Sequence, residues 1–227
     1  MQLTVQDAAR LFSVSEKTVY HWIDAKALPG YQVNGQYRFN RAELLNWAMS
    51  NRINVSPDIF SDPESVGMEL EKLGEAIKTG GIYYHVSVKD RNSALRSIVE
   101  LMRLPAEVDK EFLFNVLLAR EELASTGIGE GIAIPHVRNP LLLHVSRPTV
   151  SLCFLDKPID FNSIDHQPVF CLFTILSPTV RAHLHLLSRL SFALHDENLK
   201  NAIKTQASRD VILSHVSRIE DELDPPK

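Results

Sequence analysis

The chain contains only two cysteines, Cys153 and Cys171, and no run of eighteen apolar residues. Both cysteines lie inside apolar, strand-like stretches, which favours buried free thiols over a disulfide or a catalytic pair. The absence of a long apolar run predicts that no helix crosses a membrane. The first ten residues, MQLTVQDAAR, lack a basic segment followed by an apolar one, so no secretory signal is expected. These absences predict a cytoplasmic location without membrane insertion.

An excess of positive charge is missing as well. The 24 Lys and Arg residues are outnumbered by 28 Asp and Glu, which gives a net charge of −4 and no global attraction to nucleic acid. Residues 1–60 carry six basic and five acidic side chains, for +1, and the remainder carries −5. A hydrophobic content of 44% is ordinary for a globular protein, and 227 residues allow one or two domains.

The first fifty residues carry the helix, turn and hairpin signals of a small domain. Thr4 followed by Asp7 predicts a capping box at the start of one helix, and Ser15 predicts the cap of the next. Two short helices joined by a tight turn have helix-turn-helix geometry. Asn34-Gly35 between alternating residues is a strong hairpin signal, and Asn40 predicts the cap of a third helix. The apolar faces of the three helices are predicted at Ala8, Ala9, Leu11, Phe12, Val19, Trp22, Ile23, Leu44, Leu45, Trp47 and Ala48.

The stretch LTVQDAARLFSVSEKTVYHWIDAKALPGYQVNGQYRFNRAELLNWA resembles the small winged helix-turn-helix domain of excisionases and MerR-type regulators. The resemblance implies that the second helix enters the major groove of DNA and that the hairpin contacts the backbone. The residues in matching positions are Lys17, Thr18, Tyr20, His21, Lys26, Gln36 and Arg38. A domain with a charge of +1 neutralises few phosphates, so DNA binding would require two paired copies. Protein docking is the alternative role of such a domain.

A linker is predicted over residues 51–64, because this stretch contains two prolines and is rich in Ser, Asp and Asn. The predicted organisation is a winged helix-turn-helix domain over 1–50, the linker, a second domain over 65–222 and a tail over 223–227. Helical spacing resumes at Ser65 and stops at Gly80-Gly81.

The second domain alternates strand and helix patterns, which predicts an α/β fold with a mixed central sheet flanked by helices on both faces. Its strands are predicted at Ile82–Val88, Ile132–Ile134, Thr149–Leu155 and Val169–Leu176. Its helices are predicted from Ser65 to Thr79, after Asp90, over Asp109–Ala119, from Pro178 to about Leu194, over Asp196–Thr205 and over Ser208–Glu222.

The stretch Arg120–Arg138, REELASTGIGEGIAIPHVR, carries the chemistry of this domain. Three glycines within five residues allow positive φ and expose backbone N–H groups that a small anion can approach. Pro135 then fixes the backbone just before His136, at the end of a short apolar run. A neutral imidazole nitrogen is a good nucleophile towards phosphorus, and an arginine such as Arg120 can hold phosphate oxygens. The pattern therefore predicts a histidine at a strand end beside backbone that can bind an anion, although a Gly-x-Gly-x-Gly turn alone is weakly specific.

The string STGIGEGIAIPH, with Arg120 sixteen residues before His136, resembles the phosphorylation-site motif of enzyme IIA domains of the phosphoenolpyruvate-dependent sugar phosphotransferase system. The resemblance is to the mannitol, fructose and nitrogen-regulatory type and extends over roughly Val66–Ile219. It implies phosphorylation at Nε2 of His136 by a histidine-containing phosphocarrier protein, with Arg120 and His183 as catalytic partners. It implies phosphate-binding groups at Thr126, Gly127, Gly129 and Gly131. It implies neither a metal nor a cofactor.

Three functions stay open at this stage. A sugar-transporting version would pass the phosphoryl group to a IIB domain, whereas fusion to a helix-turn-helix favours nitrogen or sugar signalling and control of transcription. The alternative is a transcription regulator or adaptor whose IIA-like domain only binds a partner and is never phosphorylated. A hydrolase using His136 as a base is disfavoured, because no Ser or Cys nucleophile motif accompanies it. A metal pair at His183 and His185 is disfavoured too, because residues two apart do not share a helix face.

Overall fold

A computed structural model describes residues 2–26, 28–33, 35–51, 53, 70–106, 108–137, 140 and 145–224. The chain divides into two compact units, Met1–Glu69 and Leu70–Lys227. Apart from Asn51 and Ile53, the linker predicted over 51–64 lies outside the described residues, as do residues 225–227 of the predicted tail. The predicted domain limits therefore stay predictions.

In the part of the first unit that the structure describes, three helices accompany a three-stranded antiparallel sheet in the order β1-β3-β2. Its elements are β1 (Gln2–Leu3), α1 (Val5–Leu11), α2 (Glu16–Lys26), β2 (Tyr31–Val33), β3 (Gln36–Asn40) and α3 (Arg41–Ser50). Thr4 and Asp7 form the predicted capping box of α1, and the Ser15 hydroxyl accepts the Thr18 N–H at the start of α2. The hairpin is confirmed, with Gly35 at a φ of +76° in the turn between β2 and β3. Local signals therefore set the elements of this unit.

Three aromatic rings form the centre of the first unit. Trp22 lies 5.5 Å from Phe12 and 5.3 Å from Trp47, measured between ring centroids, so the three helices meet there. Phe39 of β3 is fully buried. Burying each such side chain stabilises the fold by about 1.5–3 kcal/mol, which allows a unit this small to hold one core. Of the predicted apolar faces, Ile23 alone is only half-buried.

The second unit is the predicted α/β domain, with a five-stranded mixed sheet in the order β4-β7-β8-β6-β5. Its helices are α4 (Leu73–Gly80), α5 (Arg91–Leu101), α6 (Lys110–Leu123), α7 (Val180–Ala193), α8 (Glu197–Lys204) and α9 (Arg209–Leu223). Its strands are β4 (Ile82–Val86), β5 (Gly127–Gly129), β6 (Ile132–Ala133), β7 (Thr149–Ile159) and β8 (Val169–Leu176). The β4–β7 and β6–β8 pairs are parallel, whereas β7–β8 and β5–β6 are antiparallel.

The first helix of this unit starts later than its pattern predicts. Residues 65–69 lie outside the described part of the chain, and residues 70–72 are not helical, so α4 begins at Leu73. The buried carboxylate of Glu220 accepts the N–H groups of Leu73 and Gly74, at 2.5 and 3.0 Å. Since the first N–H groups of a helix have no partner within it, this distant carboxylate fixes where α4 begins.

Side-chain alternation along β8 assigns its residues to two faces of the sheet. Leu172 and Leu176 share one buried cluster with residues of α5 and α6. The residues between them, Phe173 and Ile175, therefore point to the opposite face, because successive side chains of a strand alternate. The chain continues from β8 into α7, which packs against β8. This alternation decides which side chains can share a site with His136.

Candidate functional site

His136 lies three residues after the end of β6, at the edge where two neighbouring strands end. It forms a parallel bridge with Ile175 of β8, and the Pro135 carbonyl accepts the Ile175 N–H at 3.2 Å. Paired residues of adjacent strands point to the same face, so the His136 ring is on the face opposite α5 and α6. The side chain is only 3% exposed. The carboxyl ends of parallel strands thus hold the histidine in place from its backbone.

One hydrogen bond decides which nitrogen of His136 can react. Nδ1 lies 2.7 Å from the carbonyl oxygen of Ile134. A carbonyl oxygen can only accept, so Nδ1 carries the proton and donates it, and Nε2 keeps its lone pair. Nε2 is buried and has no hydrogen-bond partner. The ring is therefore held as the tautomer in which Nε2 is the nucleophilic atom.

The surroundings keep this ring neutral. Burial, followed by the charges of His183 and Arg120, lowers the pKa of His136 to about 3, against a smaller opposing effect of the hydrogen bond to Ile134. The free lone pair is thus present at neutral pH. A neutral imidazole with an unprotonated Nε2 is the form that can attack phosphorus.

His183 brings a second imidazole to the same place. It lies in the first turn of α7, which Thr179 caps by accepting the Ala182 N–H at 3.1 Å. The rings of His136 and His183 have their centroids 5.4 Å apart and are tilted by 42°. Burial lowers the pKa of His183 to about 4, and its Nδ1 is buried without a hydrogen-bond partner. The structure thus brings these two predicted site residues together.

Arg120 lies in the last turn of α6, and its Nη1 donates to the Ala124 carbonyl at 2.7 Å. This bond holds the guanidinium at the end of the helix while the side chain is half-buried. Its positive charge contributes to the lowered pKa of His136, so the cation acts electrostatically on the ring. An arginine head group in this place can attract the oxygens of an incoming phosphoryl group.

Glu121, which the sequence interpretation missed, takes up both donors of Thr126. Its buried carboxylate accepts the Thr126 N–H at 2.9 Å and the Thr126 hydroxyl at 2.5 Å. Both donors of Thr126 are thus occupied by Glu121, and the role of Thr126 as a phosphate ligand stays a prediction. Leu113, Leu117 and Glu121 are buried on one side of α6, at intervals of four residues. An acidic residue at a position where the helix pattern expects an apolar one was the signal that could have identified Glu121.

The glycines of the motif build a tight hairpin between β5 and β6. Its two turn residues, Glu130 and Gly131, have φ values of +54° and +78°, as in a two-residue turn of type I′. A side chain on Gly131 would collide with the Phe170 ring, and one on Gly127 would come within 2.7 Å of Ser163 Cβ. Close packing thus accounts for Gly127 and Gly131. Phosphate binding by Gly127, Gly129 and Gly131 stays a prediction.

The residues predicted to contact DNA lie on two elements of the first unit. Lys17, Tyr20 and His21 are exposed on α2, and the half-buried Thr18 has its hydroxyl 2.9 Å from that of Ser15. On β3, Arg38 donates to the Gln36 side chain at 2.9 Å. The side chain of Lys26 lies outside the described residues.

Both cysteines are free and buried, as predicted. Burial raises the pKa of Cys153 to about 12 and that of Cys171 well above its ordinary value, so neither thiol is reactive at neutral pH. Among the described residues, no helix is long and apolar enough to cross a membrane. In the same part of the chain, no three His, Cys, Asp or Glu side chains lie close enough together to hold a metal ion.

A mixed α/β domain with a buried histidine pair beside an arginine is the arrangement of a phosphotransferase IIA domain. The chain belongs to the family described as phosphoenolpyruvate-dependent sugar phosphotransferase system, EIIA 2, whose model matches residues 75–219. A second model, described as a helix-turn-helix domain, matches residues 3–52. The predicted family, the fold class and the helix-turn-helix domain are thereby confirmed.

Named relatives and a solved structure each match between half and two-thirds of the chain. The nitrogen regulatory protein of Bradyrhizobium diazoefficiens is 39% identical over 124 residues, which are 52% of this chain and 78% of that protein. The nitrogen regulatory protein of Pseudomonas aeruginosa is 32% identical over 145 residues, 62% of this chain and 92% of its own. The crystal structure of nitrogen regulatory protein IIA-Ntr from Neisseria meningitidis matches with a TM-score of 0.56 at 26% identity, over 63% of this chain and 98% of that one.

Proposed function

We propose that His136 accepts a phosphoryl group on Nε2 from the phosphohistidine of a histidine-containing phosphocarrier protein. One observation carries the proposal: Nδ1 of His136 donates to the Ile134 carbonyl, which leaves Nε2 as a lone-pair nitrogen without a partner. A histidine packed only for stability would satisfy both ring nitrogens, because an unpaired buried polar atom is unfavourable.

The proposed step is an in-line exchange of one P–N bond for another. The Nε2 lone pair forms a bond to phosphorus while the donor P–N bond breaks, and the electrons of that bond return to the donor imidazole. His136 keeps its Nδ1 proton, which the Ile134 carbonyl holds throughout. Because little covalent chemistry falls to other groups, the protein contributes positioning and charge stabilisation.

Arg120 and His183 supply that stabilisation in this proposal. The guanidinium of Arg120 attracts the oxygens of the transferring phosphoryl group, which carry most of its negative charge. The Nδ1 atom of His183, buried without a partner, donates to one of those oxygens when it carries the ring proton. A cation and a neutral donor together take the part that a metal ion plays in other phosphoryl-transfer sites.

Incubation with the phosphorylated carrier protein, followed by intact-mass measurement, tests the proposal. The parent should gain a single acid-labile phosphate and His136→Ala should gain none, because that variant lacks the nucleophile. His166→Ala is a matched control, since His166 is exposed in a turn. Arg120→Ala should be labelled fully but more slowly.

Three results would contradict this function. An acid-stable phosphate, or unchanged labelling of His136→Ala, would place the modification on another residue. A parent that takes up no phosphate would favour the alternative, an adaptor whose IIA-type domain only binds a partner.

We further propose that the protein is regulatory and that its first unit binds DNA. The relatives named nitrogen regulatory proteins support the first part, and the match to a helix-turn-helix model supports the second. The exposed Lys17, Tyr20 and His21 on α2 provide side chains for base and phosphate contacts. Phosphoryl transfer onward to a IIB domain is the alternative use of the phosphohistidine.

A further inference from the structure

A third unpaired group, Ser177, lies six residues before His183 and two residues after Ile175, the bridge partner of His136. Ser177 follows β8 directly, its side chain is fully buried, and its hydroxyl has no hydrogen-bond partner. A serine hydroxyl can both donate and accept and readily rotates to find a partner. Burying it unpaired is unfavourable, so an orphaned hydroxyl calls for an explanation.

The backbone places Ser177 on the same face of the sheet as His136. Ile175 forms the bridge to His136, and Ser177 lies two residues further along the chain. The following Pro178 favours an extended backbone at Ser177, so the strand alternation continues and the Ser177 side chain points as Ile175 does. His183 then follows within the first turn of α7. The segment from Ile175 to His183 thus joins the two histidines, with the serine between them.

Thr174 provides a contrast within the same strand. It is also fully buried and its hydroxyl also lacks a partner. However, Thr174 is in register with Leu172 and Leu176, which pack in the cluster of α5 and α6. Alternation therefore turns its hydroxyl away from the face of His136. The two residues share burial and an unpaired hydroxyl and differ in the face that they occupy.

We infer that Ser177 is a further catalytic residue, whose hydroxyl donates to an oxygen of the phosphoryl group on Nε2 of His136. The inference rests on the proposed function of His136. A phosphoryl group brings three acceptor oxygens and nearly two negative charges. Its arrival gives a bond to Nε2 of His136 and acceptors to Nδ1 of His183 and to the Ser177 hydroxyl. One ligand thereby satisfies three polar atoms that are otherwise buried without partners.

The test measures the equilibrium between the phosphorylated carrier protein and this chain, for the parent, Ser177→Ala and Thr174→Val. Losing a hydrogen bond to a charged group should lower the equilibrium constant for phosphorylation about tenfold in Ser177→Ala. Thr174→Val should keep the parent constant. Ser177→Ala should unfold at the parent temperature or above it before phosphorylation, because the substitution removes an unpaired polar group. Ser177→Cys, a near-isosteric variant with a weak donor, should also lose affinity for the phosphoryl group.

The possible failures are distinguishable. A parent labelled at His136 with an unchanged constant in both Ser177 variants would overturn the role of Ser177 and leave the proposed function intact. If Thr174→Val lowered the equilibrium constant for phosphorylation as much as Ser177→Ala does, the effect would not be specific to Ser177. That result would also overturn the role of Ser177. A parent without phosphate at His136 would overturn the proposed function and this inference together.

Discussion

The buried imidazoles of His136 and His183 contribute to the pH dependence of the stability of the folded state. Their pKa values are lowered to about 3 and about 4, whereas an exposed histidine has a pKa of about 6.5. The unfolded chain therefore binds more protons than the folded one once the pH falls below 6.5. The stability that depends on the neutral rings is complete above pH 6.5 and is lost as the pH falls towards 4 and then 3. At pH 5 the loss should reach up to about 2 kcal/mol for each ring.

Urea denaturation at pH 7.5 and pH 5.0 checks this expectation. His136→Gln cannot be protonated at this position, so its unfolding free energy should fall less between the two pH values than that of the parent. Comparing each protein with itself removes any pH-independent cost of the substitution. His166→Gln should behave as the parent, since this side chain is exposed. An acid loss in His136→Gln equal to that of the parent would mean that the His136 ring is not held neutral by the fold.

Between the elements α6, β5 and β6, a series of hydrogen bonds leads from a buried carboxylate to the reactive ring. Glu121 at the end of α6 accepts both donors of Thr126. The Thr126 carbonyl accepts the Ile134 N–H at 2.9 Å, and the Ile134 carbonyl accepts Nδ1–H of His136. The same helix turn carries Arg120. Glu121 therefore helps to position both the cation and the carbonyl that sets the tautomer of His136.

Glu121→Ala should be destabilised by about 2–4 kcal/mol, because it leaves two buried donors of Thr126 unpaired. Urea denaturation measures this loss, and ¹⁵N NMR of the imidazole reports whether Nδ1 of His136 still carries the proton in the whole population. Glu122→Ala is the matched control, because its exposed neighbouring carboxylate should change stability by less than about 0.5 kcal/mol. A Glu121→Ala protein as stable as the parent would show that the carboxylate does not hold these elements together.

The elements that could be predicted from the sequence are those with local signals. Asp90 caps α5 as its position predicts, and Gly35 occupies the turn of the hairpin. The start of α4 could not be predicted, because Glu220 fixes it from 147 positions away. The glycine-rich hairpin suggested an anion site, whereas Gly127 is constrained by Ser163, a neighbour in space. Within the site, Ser177 carries no sequence signal, because its unpaired hydroxyl is visible only once burial and strand faces are known.

The whole molecule joins a helix-turn-helix unit near neutrality to a more acidic phosphotransferase domain. Residues 1–60 carry a charge of +1 and the remainder −5, so neither part attracts DNA strongly at long range. A single helix-turn-helix unit with few cations should bind DNA weakly, and two paired units would double the phosphate contacts. Phosphorylation of His136 would add nearly two further negative charges. A useful switch would need a coupling of about 1–3 kcal/mol between phosphorylation and DNA binding, a five- to 150-fold change in affinity.

Selection of bound sequences from random duplexes at fixed salt tests this prediction. The parent should enrich a duplex, and the double variant Lys17→Ala/His21→Ala should not enrich it. Both substituted side chains are exposed on α2. Lys157→Ala, which removes an exposed lysine of β7, is the control for a general effect of charge.

The affinity for the enriched duplex should then differ between phosphorylated and unphosphorylated parent. The affinity of His136→Ala should be the same under both conditions. If no duplex is enriched over competitor, the first unit does not recognise DNA and protein docking explains it better. If a duplex is enriched but is bound equally well by phosphorylated and unphosphorylated protein, the first unit binds DNA and phosphorylation does not control it. Coupling between the two sites is reciprocal, so a phosphorylation that leaves DNA affinity unchanged is not linked to DNA binding.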